Sequence, residues 1–256
     1  MQVADYIDAV AAEGDRFANA AEKGQLSVDI PRCDGWDMRD LVRHLGMIHL
    51  WAAAIVEVGD PEFFEVSDLP DLAEQWPELA GGYPDDADLV AWYRETLANL
   101  VRVFESAPAD LECPTFLPAA TPLTMWTRRQ ASEIAIHRYD AEIAQGIVGG
   151  FDTGFATAML DEVLSAFAPR PRTLDIETAK VVHVHAEDSD EHWYVTLGPD
   201  ATTTSRTGGA ADLTLTGSAS DLYLLLWNRT SDSTVSMSGD AELMDLWHGN
   251  FRVRWS

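Results

Sequence analysis

The sequence predicts an α+β protein in two parts, a four-helix bundle followed by a smaller α+β domain built on an antiparallel sheet. Three observations carry this expectation. Apolar residues recur at helical spacing through roughly the first 150 residues. After GIVGGFDTG, short alternating runs take over, as half-buried strands require. Gly, Pro and Asp turns divide those runs, and helix-like segments sit among them. The boundary is placed so that residues 1–149 form the bundle and residues 150–256 the second domain.

Taken in order, Tyr6, Ile7, Val10, Phe17 and Ala21 mark one face of a first helix over Val3 to Lys23, stopped at Gly24. Pro31 and Asp34-Gly35 then read as a turn. Asp37 suits the N-cap of a second helix reaching Val58, with Asp40 adding negative charge to the positive helix end. Residues 59–85 hold four prolines and two adjacent glycines, and read as an irregular connection with short helical turns around Leu72 to Leu79. A third helix spans about Ala87 to Ser106. Pro122 opens a fourth, which ends near Gln145. A further helix covers about Gly154 to Phe167 and leads into the stiff linker PRPR. Strands follow in KVVHVHAED, HWYVTLGPD, ATTTSRT and ADLTLTG, then a capped helix in SASDLYLLLWNR, a strand in TVSMSGD and a last helix in AELMDLWHGN.

Composition narrows the function. The chain has 256 residues, 46% of them hydrophobic, with nine Trp, enough to bury real cores. Seventeen basic against forty-three acidic side chains give a net charge of −26, which opposes nucleic acid and anionic lipid. Cys33 and Cys113 form neither a CxxC pair nor a disulfide framework. MQVADYIDAVAAEGDRF lacks the basic start and apolar segment of a signal peptide, and no run of about twenty apolar residues reads as a membrane span. The expectation is a cytoplasmic protein without nucleic-acid or membrane partners, either a monomer or a homodimer.

The most informative stretch is TRRQASEIAIHRYDAEIAQG. Glu133 and His137 stand four residues apart on one helix, so carboxylate and imidazole share a face. With His44 from the second helix they offer two imidazoles and a carboxylate, a donor set for zinc or another divalent metal that leaves one position open. Asp140 falls on the same side and could orient an imidazole; otherwise it is a surface carboxylate paired with Arg138 or Arg129. His49 competes with His44, but lies about 140° further around the helix, so only one of them faces a given point. Cys33 is either a ligand, which would close the site, or a small side chain packed at a turn.

A rival metal site is offered by His183 and His185, which share a strand face, with His192 across a hairpin. Arg229, after DLYLLLW, reads as a carboxylate anchor or as a helix C-cap. Neither a G-x-S-x-G elbow nor a phosphate-binding or dinucleotide fingerprint occurs.

CDGWDMRDLVRHLGMIHLWAAAIV and MWTRRQASEIAIHRYDAE resemble the mycothiol-dependent maleylpyruvate isomerase family, a branch of the DinB-like metal-binding four-helix bundles. The family pattern falls on Cys33, Gly35, Trp36, His44, Glu133, His137, Arg138 and Asp140. VHVHAEDSDEHWYVTL and ADLTLTGSASDLYLLLWNR resemble its C-terminal domain, similar in plan to sterol-carrier-like α+β folds. The resemblance implies zinc on His44, Glu133 and His137, with the fourth position open to the thiol of mycothiol. A metal-held thiolate could add to an electrophilic double bond; thiol loss would give isomerisation, and retention would give a thiol S-transferase. Asp140 and Arg229 are the expected catalytic side chains, Arg229 as the holder of a substrate carboxylate. Two other readings stay open: a hydrolase using zinc-bound water, and a non-enzymatic metal- or small-ligand-binding protein.

Overall fold

The computed structural model describes residues 1–62 and 82–251, in two compact units, Met1–Gly149 and Gly150–Ser256. The helical turns expected around Leu72 to Leu79 lie outside the described residues.

In the first unit, α1 (Val3–Lys23), α2 (Met38–Val58), α3 (Leu89–Ser106) and α4 (Pro122–Ala144) pack as a bundle in which α1 and α2 each touch both α3 and α4. The ends follow from local chemistry. The Asp37 carboxylate accepts from the Asp40 N–H at 3.0 Å and the Asp40 carboxylate accepts from the Asp37 N–H at 3.1 Å, a reciprocal capping box. At the other end of α2, Gly59 adopts φ 61°, and its N–H bonds the Ile55 carbonyl. Helix α2 is long and apolar enough to cross a membrane by length and composition, but most of it is buried inside this unit. Close approach of α2 to α3 depends on Gly46, where an added Cβ would stand 2.3 Å from the Trp92 ring.

Helix α4 is the central element. Its residues from Leu123 to Glu142 are buried with few exceptions, although many are charged. Arg138, fully buried, donates from Nε to Glu13 of α1 and from Nη1 to Glu142, both at 2.6 Å. Arg16 of α1 reaches the same Glu142 carboxylate at 3.0 Å. This network fixes α1 against α4 through paired charges, of which Arg138 and Glu142 are buried and Arg16 reaches in from the surface.

His49 points into the α2–α3 contact. Its Nδ1 lies 3.1 Å from Thr96 Oγ1, its ring packs 5.0 Å from Tyr93, and its Nε2 meets no hydrogen-bond partner among the described residues. It is a core side chain on a different face from His44.

In the second unit, α5 (Thr153–Asp161) continues as a wider π-turn over Glu162–Phe167. The sheet follows: β1 (Lys180–Ala186), β2 (Glu191–Leu197), β3 (Thr202–Ser205), β4 (Leu213–Gly217) and β5 (Ser236–Gly239), with α6 (Ala219–Leu226) before β5 and α7 (Glu242–Asn250) after it. Their order is β3-β2-β1-β4-β5. The sheet is mixed and not purely antiparallel, because β4 pairs parallel to β1. Parallel neighbours need a crossover of about a dozen residues or more, and residues 187–212, including β2 and β3, supply it between β1 and β4. Residues 206–212 can close the path across the sheet because β3 stops at Ser205 opposite Tyr194, nearly level with the start of β4 opposite Val182. The crossing chain lies against the Tyr194 ring at Gly208, where a Cβ would come within 2.3 Å. Val182, Val184, Ala186, Trp193, Val195 and Leu197 bury one face of β1 and β2; His183, His185, His192 and Tyr194 occupy the other.

Two outcomes test the packing. Arg138→Ala is expected to destabilise the protein by about 3–5 kcal/mol, because Glu13 and Glu142 lose their buried partner and keep only the half-exposed Arg16, and urea unfolding measures this. Burial, with the His44 charge as a lesser cause, lowers the His49 pKa from 6.5 to about 3. The unfolded chain therefore binds a proton there that the folded chain rejects. The sign is that stability is full above about pH 6.5 and falls by up to about 1.4 kcal/mol per pH unit as pH drops toward 3. Urea titrations of wild type and His49→Asn across that window should differ in slope by this amount.

Candidate metal centre

The Cys33–Trp36 turn, the second turn of α2 and the middle of α4 converge on one place. Trp36 N–H donates to the Cys33 carbonyl at 3.0 Å, and Ile30 N–H donates to the Trp36 carbonyl at 2.9 Å. Gly35 holds φ 82°, which explains glycine in this turn. The Asp37 cap then starts α2 so that His44 arrives beneath Trp36, their rings 5.0 Å apart in an edge-on arrangement.

Glu133 is the centre of the cluster. His44 Nε2 lies 3.1 Å from Glu133 Oε1, and His137 Nε2 lies 3.3 Å from the same oxygen. The second oxygen, Oε2, accepts a short hydrogen bond from Arg129 Nη2, one turn earlier on α4, while Arg129 Nη1 donates to Ser132 Oγ at 3.3 Å. His137 Nδ1 lies 2.9 Å from Asp140 Oδ2, and the Cys33 thiol donates to that oxygen at 3.5 Å. One ligand atom from each of His44, Glu133 and His137 falls within 4.8 Å of the other two, and Cys33, His137 and Asp140 form a second such group sharing His137. An open concavity of about 540 Å³ runs along residues 29–37 and Asp40, with Cys33 and Trp36 on its wall.

The electrostatics follow from burial against pairing. Burial alone would raise the Glu133 carboxyl, but Arg129 and the two imidazoles overcome it and hold it well below the usual carboxylate range. Burial would likewise lower His137; hydrogen bonds to Asp140, Cys33 and Glu133 outweigh it, so His137 is raised well above 6.5. His44 is lowered, because burial there exceeds the help from Glu133.

These residues fit a divalent metal. At a four-coordinate zinc with bonds of about 2.0–2.1 Å, neighbouring donor atoms stand roughly 3.3 Å apart. The two imidazole nitrogens already stand at such distances from one carboxylate oxygen. Arg129 on Glu133 and Asp140 on His137 are the outer partners that fix a carboxylate and an imidazole tautomer.

The structure thus brings His44, Glu133, His137 and Asp140 together. Asp140 is 2% exposed and faces His137 and Cys33, so it is not a surface carboxylate. Cys33 is half-buried at its turn, and neither Cys33 nor Cys113 is in a disulfide. His49 lies elsewhere. Arg229 belongs to the second unit, where its N–H donates to the Leu224 carbonyl at 2.8 Å and its Nη1 to the Trp227 carbonyl at 2.9 Å, at the C-terminal end of α6. Sequence reasoning missed Arg129 as the partner of Glu133. The available signal was its spacing, four residues before Glu133 on the same helix.

Comparison with known proteins adds kinship. A family model described as the mycothiol maleylpyruvate isomerase N-terminal domain matches residues 7–142, and one for the C-terminal domain of the same family matches residues 151–246. The chain is similar in fold to the crystal structure of the mycothiol-dependent maleylpyruvate isomerase and to that of a histidine-to-alanine mutant of it. Each match has a TM-score of 0.62 and 14% identity, covering 94% of this chain and 95% of the other. Comparison with curated protein sequences gives no match.

Substitutions test the donor set. Metal analysis of the dialysed, untagged protein should show one tightly held equivalent that His137→Ala and Glu133→Gln each lose, while His49→Ala keeps it. Arg129→Met should weaken metal affinity by about 10–100-fold without removing a ligand. Full retention in His137→Ala would show the ligands to be others.

Proposed function

The chain belongs to the mycothiol maleylpyruvate isomerase family, and from that premise we propose that it is an enzyme acting on a small electrophilic substrate with mycothiol as its thiol. The observation that carries the reading is the convergence of His44 Nε2, His137 Nε2 and Glu133 Oε1 beside Trp36 and Cys33. We infer that zinc or another divalent metal is held by His44, Glu133 and His137. When bound, such an ion lowers the pKa of a coordinated thiol from about 8.5 and makes thiolate available at neutral pH.

The remaining work falls to the chain itself. Arg129 occupies Glu133 Oε2, so the carboxylate presents Oε1 toward the two imidazoles. Asp140, by accepting from His137 Nδ1–H, leaves His137 Nε2 to face the same point. Trp36 stands beside both imidazoles, 5.0 Å from His44 and 6.4 Å from His137, and forms part of the concavity wall. The concavity along residues 29–37, with Cys33 and Trp36 on its wall, offers room for a polar thiol. Isomerase and S-transferase differ only in whether the thiol leaves the product. Family kinship favours the isomerase with a maleylpyruvate-like substrate, and a reduced cytoplasm suits a Cys33 outside any disulfide. Arg229 enters the proposal only as a candidate holder of a substrate carboxylate.

Cobalt-substituted protein titrated with mycothiol tests this reading. A sulfur-to-cobalt charge-transfer band in the near ultraviolet is expected, together with turnover of maleylpyruvate that depends on the thiol. If the band does not appear at saturating thiol, the thiolate reading fails, and a hydrolase or a metal-binding protein on the same ligands takes its place.

A further inference from the structure

The outer face of β1 and β2 carries a second convergence of donors, independent of the bundle. His185 and His192 stand directly opposite each other in the β1–β2 register, their rings stacked at 4.1 Å. Asp190 closes the hairpin turn between them. Its Oδ1 lies 3.4 Å from His185 Nε2 and 3.7 Å from His192 Nε2, and one donor atom from each of the three lies within 4.8 Å of the others. We propose that His185, His192 and Asp190 bind a second divalent ion of the borderline class, such as zinc, copper or nickel, with positions left open to solvent.

The donor separations are already near those of a four-coordinate zinc, roughly 3.3 Å. Two imidazoles and a carboxylate suit zinc, copper or nickel better than calcium or magnesium, which favour all-oxygen sites. His183 completes the arrangement from behind. Its Nε2 lies 3.0 Å from His192 Nδ1 and can accept a hydrogen bond from it, in the tautomer that leaves the lone pair of His192 Nε2 facing Asp190. Tyr194 stacks on His183 at 4.4 Å and fixes its plane.

The turn is built to present Asp190. Asp188 accepts from the Ala219 N–H and from the Thr153 hydroxyl, each at 2.8 Å, and Ser189 Oγ accepts from the Thr157 hydroxyl at 3.0 Å. Those contacts anchor the turn to α5 and α6 and leave Asp190 to project over the histidines. Asp190 has φ 54°, in the left-handed region that Asp and Asn enter more readily than other side chains, so the residue suits the turn while its carboxylate faces the histidines. Asp190 and both histidines are partly or largely exposed, so an ion can reach them.

Zinc titration of the untagged full chain against a chromophoric chelator tests the site. Wild type is expected to take up one equivalent beyond the tightly held one, and His137→Ala should still take it up. The His185→Gln/His192→Gln double variant should lose it. Asp190→Asn, which keeps the turn conformation, should weaken it by about tenfold or more, as should His183→Phe. In wild type, nitrogen-15 spectra should show zinc moving the Nε2 resonances of His185 and His192 but not that of His183, a readout that needs no variant to fold. Absence of the added equivalent, its survival at unchanged affinity in the double variant, or zinc shifts confined to other histidines would overturn the assignment.

Discussion

Helix α4 is buried around nearly its whole circumference while carrying Arg129, Glu133, His137, Arg138, Asp140 and Glu142, and the first unit is arranged to meet that condition. A buried charge without a partner costs several kcal/mol, so each of these groups dictates what must stand opposite it. On one side Arg138 and Glu142 require the Glu13 and Arg16 side chains of α1. On the other, Glu133 requires Arg129 and the imidazoles, and His137 requires Asp140. Helix positions in the bundle are therefore set by charge pairing as much as by apolar contact.

The same condition shapes the approach to the site. His44 reaches Glu133 only if α2 starts where it does, and the Asp37–Asp40 capping box fixes that start. Immediately before it, Arg32 and Gly35 both hold positive φ, which curls residues 30–36 back on themselves and sets Cys33 against Asp140. A two-residue change in this turn would displace Trp36 and Cys33 together. The cap and the turn are thus parts of the site, although neither is a ligand.

Much of this was legible in residue order. Strong local signals, the apolar stripes of α1 and α3, the Asp37 cap and the alternation in KVVHVHA, delivered the elements because each is decided within a few residues. The parallel pairing of β4 with β1 was not legible, since alternation reports the faces of a strand and not its neighbours. Nor was the environment of α4. Arg129, Glu133, Arg138 and Glu142 at four-residue spacing read equally well as a solvated ion-paired surface, and only the packing of α1 and α2 on both sides removes them from water. For that reason the spacing of Glu133, His137 and Asp140 was visible, whereas the hold of Arg129 on Glu133 and the contact of Cys33 with Asp140 were not.

Charge balance around Glu133 links the metal-free protein to the proposed one. Glu133 and Asp140 are negative, Arg129 is positive, and with both histidines neutral the buried cluster carries one net negative charge. Without an ion, a proton on His137 neutralises it, which is the direction in which that imidazole is shifted. A divalent ion in place of that proton leaves one positive charge in a largely dry pocket, which favours an anionic group over a neutral one at the remaining position. A thiolate restores neutrality; a neutral water or neutral thiol does not. Removing the Arg129 charge would reverse the preference, because the cluster would then be balanced by the ion alone. The arginine that orients Glu133 would thus also set the charge that a fourth ligand on the proposed ion brings.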